Sequence, residues 1–399
     1  MNNSQRQGGQ SLVFVVLAII ALVAMAGLII DGGYAYAMRR QAQNAADAGA
    51  LAGARALAER VTCDTNGQPV DGSATDDAVI AMRINEYVER NGIPDAGGSA
   101  WDEINTNVRR RYIDKNGNEL GAQDIGVMQY VPANAVGVRV TPQLQTPTFF
   151  MGVLGFNQVT VAATADARMG VVMSLDGGSI FPVALDLPTA QAAENGQLIR
   201  IWTKDKINNQ VGGVEINDGG SWVQRGYRGW LSLDYIYSKQ YASLNETRVT
   251  DGSHSNNRLK YWCCHDYPHL VYAGQVGNPH TGDFIYGDPG TRSSALDTAT
   301  CREGQVVIIP IYDAIYSSDY LNDAGFPDPP QPPGWTSPPK QGTLFHIVGF
   351  AAVRIQFIVS QGNDKYVQSE VKRVVVGGNI NPDNPNPCSV LVKSVGLTR

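Results

Sequence analysis

The sequence predicts an α+β chain: a transmembrane helix continuing into a long helix, a small α+β module, and a mostly-β C-terminal domain. Three observations carry this. Residues 12–30 contain no charge, and residues 42–56 repeat alanine and glycine at three- and four-residue spacings. Beyond Val171, short runs of β-formers are separated by glycine, asparagine and proline.

At about 1.5 Å per residue, the uncharged run reaches roughly the 30 Å of a bilayer's hydrocarbon core. It lacks the polar stripe of an amphipathic helix. The competing reading is a cleaved signal peptide, because Ala24-Met25-Ala26-Gly27 resembles a small-residue cleavage site. The apolar run continues past that site and a helical pattern follows, which favours a retained anchor. Flanking charge says little about orientation: Arg6 precedes the span, and Arg39 and Arg40 follow it. A long polar domain translocates largely regardless of such charges. Clustered cysteines suit an oxidising compartment. The expectation is a single-pass cell-membrane protein with its C-terminal domain extracytoplasmic. Asp31, Gly32, Gly33 and Tyr34 mark the membrane boundary, with Tyr34 and Tyr36 suited to the interfacial aromatic belt. The glycines offer a place to bend or pack closely.

Beyond this collar, Ala42, Ala45, Ala46, Gly49, Ala50 and Gly53 line one helical face. They form either a packing face for another helix, a second copy of the chain included, or an exposed alanine-rich stalk. Residues 1–60 are thus read as anchor and stalk. Residues 61–170 are read as the α+β module. It opens with a turn-rich connector at 63–73. A helix over 75–90 follows, capped by Thr75 or Asp76, with Val79, Met82 and Val88 near one face and Asn91-Gly92 ending it. Asn116-Gly117 marks a hairpin, 135–143 a half-buried strand, 148–156 a short apolar helix, and 158–167 another strand. Residues 171–380 read as a β sandwich or barrel. Within them, 326–340 form a polyproline-like loop. Residues 381–399 are a tail with a short strand at 390–392.

The net charge of −6 argues against nucleic acid as a partner, since phosphate neutralisation needs a basic face. The chemistry-bearing motifs are sparse. Cys263, Cys264, His265, Asp266 and His269 cluster, with His254 and His280 nearby. Zinc would accept such donors, but Pro268 and the lack of a second cysteine pair weaken that reading, and no metal is assigned. The favoured alternative is a disulfide from Cys263 or Cys264 to Cys301, which stabilises by about 3–4 kcal/mol. Five cysteines leave at least one thiol free or paired elsewhere. Asp186 stands alone before Pro188, and no paired carboxylates, nucleophile elbow, P-loop or dinucleotide fingerprint occur. No catalytic residue and no cofactor is therefore assigned. Asn245-Glu246-Thr247 is a chance sequon, and His346 a core or half-buried histidine. Trp202, Trp222, Trp230, Trp262, Tyr235 and Tyr237 are either core or a carbohydrate- or protein-binding face.

The stretch "GGQSLVFVVLAIIALVAMAGLIIDGGYAYAMRRQAQNAADAGALAGARAL" resembles the N-terminus of TadG-like proteins, the Tad-domain family of Flp pilus assembly in bacteria. "QNAADAGALAGA" is its most specific phrase. "VGVRVTPQLQTPTFFMGVLGFNQVTVAATADARM" resembles the end of the family's pilin-like region, and "GYRGWLSLD", "GQVVIIPIYD" and "LFHIVGFAAVRI" resemble its larger ectodomain. Two departures stand out. If Gly9 were a prepilin cut, Phe14 would hold the place of the glutamate found in type IV pilin precursors and TadE-like relatives, and residues 10–30 contain no acid. Larger members carry an Asp-x-Ser-x-Ser metal motif, whereas here Gly178 and Ile180 take the serine positions after Asp176. The resemblance implies a non-enzymatic, membrane-anchored component of the Tad/Flp pilus system, partnered by its assembly proteins or pilins. The alternative is an anchored surface adhesin.

Overall fold

Helix α1 (Gly8–Arg60) runs without interruption for 53 residues, about 80 Å at 1.5 Å per residue. The computed structural model describes residues 8–64, 69–95, 105–175, 178, 180–193, 195–202, 213–238, 248–249, 256–278, 281–287, 293–317, 343–361, 365–376, 379–381 and 392–398. The proline-rich loop at 326–340, the sequon at Asn245, His254, His280 and Asp176 lie outside them. Two compact units result: residues 1–60, 71–168 and 397–399, and residues 61–70 and 169–396.

In the first unit, α1 changes character along its length. Between Leu12 and Ile30 every residue is exposed except Gly27. From Ala42 onward, Ala42, Ala45, Ala46, Ala50, Ala54 and Leu57 are fully buried. The connector after α1, residues 61–70, is counted with the second unit and holds a two-residue pairing of β1 (Thr62–Cys63) with β2 (Pro69–Val70). Helix α2 (Ala74–Arg90) follows.

Its cap is Ser73 rather than Thr75 or Asp76. Ser73 Oγ accepts the Asp76 amide at 3.1 Å, while the Asp76 carboxylate accepts the Ser73 amide at 3.3 Å. This reciprocal capping box makes Asp76 the third residue of the helix, not its cap. The buried stripe is Asp77, Ile80, Ala81, Ile84, Asn85 and Val88. Of the predicted residues only Val88 lies there; Val79 is half-buried and Met82 exposed, flanking the buried Ile80-Ala81 pair on either side.

Strands β3 (Val108–Ile113), β4 (Glu119–Leu120), β5 (Gly137–Pro147), β6 (Gln158–Ala162) and β7 (Ala165–Leu175) complete the unit, with β7 contributing residues up to 168. The order is β4-β3-β5-β7, with β6 paired to the outer half of β5. The β3–β4 loop closes where the Asp114 carboxylate takes the Asn116 and Asn118 amides, both at 2.8 Å. The expected apolar helix at 148–156 is a single 3-10 turn, Met151–Leu154, at the tip of the β5–β6 hairpin. Gly155, at φ 89°, ends it in a conformation that suits glycine. The single strand expected over 158–167 is divided between β6 and β7.

The helices pack on β5 through missing side chains. A Cβ at Gly49 would lie 2.5 Å from Val88 Cγ2, and one at Gly53 2.6 Å from Ile84 Cγ1 and 3.0 Å from Val138 Cγ2. Several buried polar groups are matched. Tyr112 donates to Asp77 Oδ1 at 2.8 Å, the Gln129 amide donates to Asp77 Oδ2 at 2.8 Å, and Arg110 donates to Asn85 at 2.6 Å.

The second unit contains β8 (Val183–Asp186), α3 (Leu187–Ala192), β9 (Leu198–Trp202), β10 (Gly213–Asp218), β11 (Ser221–Ser238), β12 (Arg248–Val249), α4 (Asn256–Cys264), β13 (Val271–Tyr272), β14 (Asp283–Gly287), α5 (Ser293–Ala299), β15 (Val306–Ser317), β16 (Thr343–Val359), β17 (Tyr366–Lys372), β18 (Asn379–Asn381) and most of β19 (Lys393–Thr398). Pairings run β8–β11–β10–β9–β17–β16–β15 and return from β15 to β8, so the ring closes. β14 bridges β11 and β16. Closure removes the open edges that a flat sheet would leave. Val183, Leu185, Ile199, Ile201, Val214 and Ile355 share one apolar cluster with Leu187, Leu259 and Leu296 of the short helices. The tail strand lies at 393–398, later than the expected 390–392; residues 390 and 391 lie outside the described set.

Gly49→Leu or Gly53→Leu is expected to destabilise the first unit by about 1–3 kcal/mol through overpacking. Denaturant unfolding followed by amide exchange on β5 reads this. Gly33→Ala, with no atom within 4 Å of the new Cβ, is expected to be neutral or stabilising by up to about 1 kcal/mol.

Candidate functional site: the collar of the long helix

Gly27 and Asp31 lie one turn apart on α1, on the face that Ala42, Ala45, Ala46, Gly49, Ala50 and Gly53 continue. Both are buried in an otherwise exposed stretch. What covers them is the β5–β6 tip. Asp31 Oδ1 accepts the Phe149 amide at 2.8 Å, and Oδ2 accepts the amides of Phe150 and Met151 at 3.0 and 2.7 Å. One carboxylate thus serves three consecutive donors at the start of the 3-10 turn, where backbone amides lack partners within the turn. Desolvation raises the Asp31 pKa, but the three amides outweigh it and hold the carboxyl below its ordinary range. Below it, Phe150 lies directly on Gly27, where a Cβ would come within 2.6 Å of Phe150 Cβ. The Tyr34 ring meets Phe149 edge-on, with centroids 5.5 Å apart. Gly32 and Gly33 face open space, and the helix continues through both.

The small-residue face of α1 is covered by α2 and β5 of the same chain. That burial leaves no exposed alanine stalk at these positions, and the neighbour there is not a helix of another protein. The apolar surface of α1 that stays exposed is the segment before the collar.

In the second unit, Cys264 pairs with Cys301 in a disulfide, Cα atoms 5.8 Å apart, and Cys263 is buried. Burial pushes the Cys263 thiol up to about 12. Arg302 donates to the Cys263 carbonyl at 3.2 Å and pairs with Asp266 at 3.0 Å. His265 stacks on Tyr261, and His269 meets Tyr267 edge-on. Among the described residues, no three His, Cys, Asp or Glu side chains gather as metal ligands would. His346 is fully buried, with its ring nitrogens 2.7 Å from Asp313 Oδ1 and 2.8 Å from the Thr281 carbonyl. Desolvation raises the Asp313 pKa, yet His346 and the Gly277 amide bring it below the usual range. Asp186 precedes α3 in an extended conformation, with Pro188 in the first turn.

The tryptophans do not form an exposed face. Trp202, Trp230 and Trp262 are buried, and Trp222 is half-buried under the Arg200 guanidinium, 3.8 Å from the ring centre. The side chains of Tyr235 and Tyr237 lie outside the described set. Exposed aromatic residues occur in both units, Tyr261 and Phe357 in the second, and the first unit gathers Phe149, Phe150 and Phe156 on one hairpin tip, with Tyr36 exposed on α1. Sequence reasoning missed this group. A signal was present, since residues 140–165, between Arg139 and Asp166, carry no charge.

The first unit also has a polar cleft of about 670 Å³ lined by Arg109, Glu119, Arg139 and Asp166. Arg139 donates twice to Asp166, each at 2.7 Å, and Arg109 pairs with Glu119 at 2.6 Å. These four charges are engaged with one another, and Asp47, also in the lining, accepts from Gln43 Nε2 at 2.8 Å.

Residues 9–56 match the Tad family model, described as Flp pilus-assembly TadE/G-like, and residues 35–167 match a second, described as Tad-like Flp pilus-assembly. Neither a curated protein nor a solved structure matches the chain.

Asp31→Ala is expected to accelerate hydrogen exchange at the amides of Phe149, Phe150 and Met151 and to leave the β3–β5 ladder protected, with Asp31→Asn intermediate. Because the Asp31 pKa is depressed, the contact is expected to hold through neutral pH and to weaken only as pH falls through that lowered value. Replacing Cys264 and Cys301 together by serine is expected to cost the second unit about 3–4 kcal/mol, from the bridge's separation of 37 residues. Thermal unfolding of the double variant beside the oxidised chain measures it.

Proposed function

We propose, for a chain whose residues 9–56 match the TadE/G-like and 35–167 the Tad-like Flp pilus-assembly models, the role of a membrane-anchored, pilin-like component of the assembly system. The observation that carries this is the division of α1. Its first part is an exposed apolar helix long enough to cross a membrane, and its second part is the core element of a folded module. A helix that is apolar on all sides suits lipid or the interior of a helical bundle, and a soluble domain has no use for one projecting from its core.

In this reading residues 12–30 anchor the chain as a single span. The module and the β-rich unit stand on the extracytoplasmic side, where the Cys264–Cys301 bridge is chemically at home. The partners are other pilus-assembly proteins or pilins, met through the exposed apolar segment, because the small-residue face is occupied. The role is structural rather than catalytic, which the match to pilus-assembly models supports. Processing after Gly9 is not part of the proposal, since Phe14 stands where type IV pilin precursors carry a glutamate.

Deleting the gene in the bacterium that carries it is expected to abolish surface pili, counted by electron microscopy. The full-length chain is expected to restore them, and a version secreted without residues 12–30 is not. Pili of normal number and length in the deletion strain would contradict the assembly role.

A further inference from the structure

We infer that the β5–β6 tip, residues 148–157, is a second membrane-contacting element that dips its aromatic side chains into the lipid leaflet beside α1. The inference rests on the proposal that residues 12–30 form the anchor.

Depth is the first argument. Gly27 precedes Asp31 by four residues, so it lies about 6 Å nearer the bilayer centre if the helix stands upright. Leu28, Ile29 and Ile30, between the two, are exposed. A residue packed on Gly27 therefore shares the depth of apolar side chains meant for lipid. Phe150 is packed on Gly27. If the span is in the membrane, the tip reaches the same level.

Chemistry is the second argument. Phe149 is 61% exposed and Phe156 59%, on a tip whose flanks carry no charge from residue 140 to residue 165. Phenylalanine, with tryptophan and leucine, makes the apolar face of elements that lie in the headgroup–acyl boundary. Peptide groups entering that zone must bring their own hydrogen-bond partners, and this tip does. Three amides go to Asp31, the Thr148 amide goes to the Asn157 carbonyl at 3.1 Å, and those of Gly155 and Phe156 go to the Gly152 and Met151 carbonyls at 3.0 and 3.1 Å. Asp31 itself is only 5% exposed, its charge taken up by the tip rather than left facing lipid.

The test places the photoreactive analogue p-benzoylphenylalanine at Phe149, Phe156, Ile20 or Val127 of the full chain, reconstituted in vesicles of phosphatidylethanolamine and phosphatidylglycerol. Ile20, exposed within the apolar run, reports the anchor. Val127 is exposed and belongs to the loop that meets the first turn of α2 through Gln129 and Asp77, beside the Arg60 end of α1. After irradiation, peptides carrying positions 20, 149 and 156 are expected to gain the mass of a phospholipid, and the peptide carrying 127 is not. Lipid adducts at 20 but none at 149 and 156 would overturn the inference and leave the anchor standing. Absence of adducts at 20 would remove the anchor and the inference with it. Cross-links from 149 or 156 to a second copy, in place of lipid, would make the tip a protein interface and also overturn the inference.

Discussion

The Asp31 carboxylate, accepting three successive amides from the β5–β6 tip, is the contact on which the first unit's arrangement turns. Without it, the tip would carry three unmatched donors against an apolar helix, a cost on the scale of lost hydrogen bonds for each. With it, an acid at the edge of the apolar run becomes part of the fold. Gly27, one turn earlier, leaves room for Phe150 to lie flat on the helix. The two residues work as a pair: the glycine admits the tip and the aspartate holds it.

The same logic continues along α1. Where a bulky helix would stand off from α2 and β5, Gly49 and Gly53 let Val88, Ile84 and Val138 approach to within contact of the backbone. The alanines between them are buried without holding the layers apart. One face of one helix thus serves the tip at its collar and the sheet beyond it. The opposite face keeps only a polar surface past residue 38, whereas the segment before the collar stays apolar on every side. The second unit solves a separate problem by closing its sheet into a ring and filling it with aliphatic side chains and short helices.

Much of this was legible in the sequence. The uncharged run, the small-residue face and the change of texture after Val171 are local patterns, and each corresponds to an element or a surface in the structure. The role of Asp31 was not legible, because its partners lie 118 to 120 residues away and nothing local marks them. Its register with Gly27 and Ala42 was a clue, but an aspartate after an apolar run reads equally well as a boundary residue. Of the α2 stripe only Val88 was legible, because Val79 and Ile80 are equally apolar and a buried Asp77 argues against its own face until Tyr112 is seen beside it. The tryptophans left two readings open, core or binding face, and Trp202, Trp230 and Trp262 take the first. A strand in a closed ring alternates inward and outward positions, and composition does not say which side a ring occupies. Phe149, Phe150 and Phe156 sit together on a segment distinguished by what it lacks, namely any charge between Arg139 and Asp166.

The account stands or falls on whether the tip lies on Gly27 when the chain is in a membrane. Cysteines at both positions, Gly27→Cys with Phe150→Cys, test this directly. The new Cβ would lie 2.6 Å from that of residue 150, so a small relaxation brings the pair to the about 3.5–4.5 Å of a disulfide. Mild oxidation of the full chain in vesicles is predicted to join the peptides carrying residues 27 and 150 as the dominant new cross-link, found by mass spectrometry. Failure to join them, with either cysteine captured instead by Cys63, Cys388 or a second copy, would contradict the account.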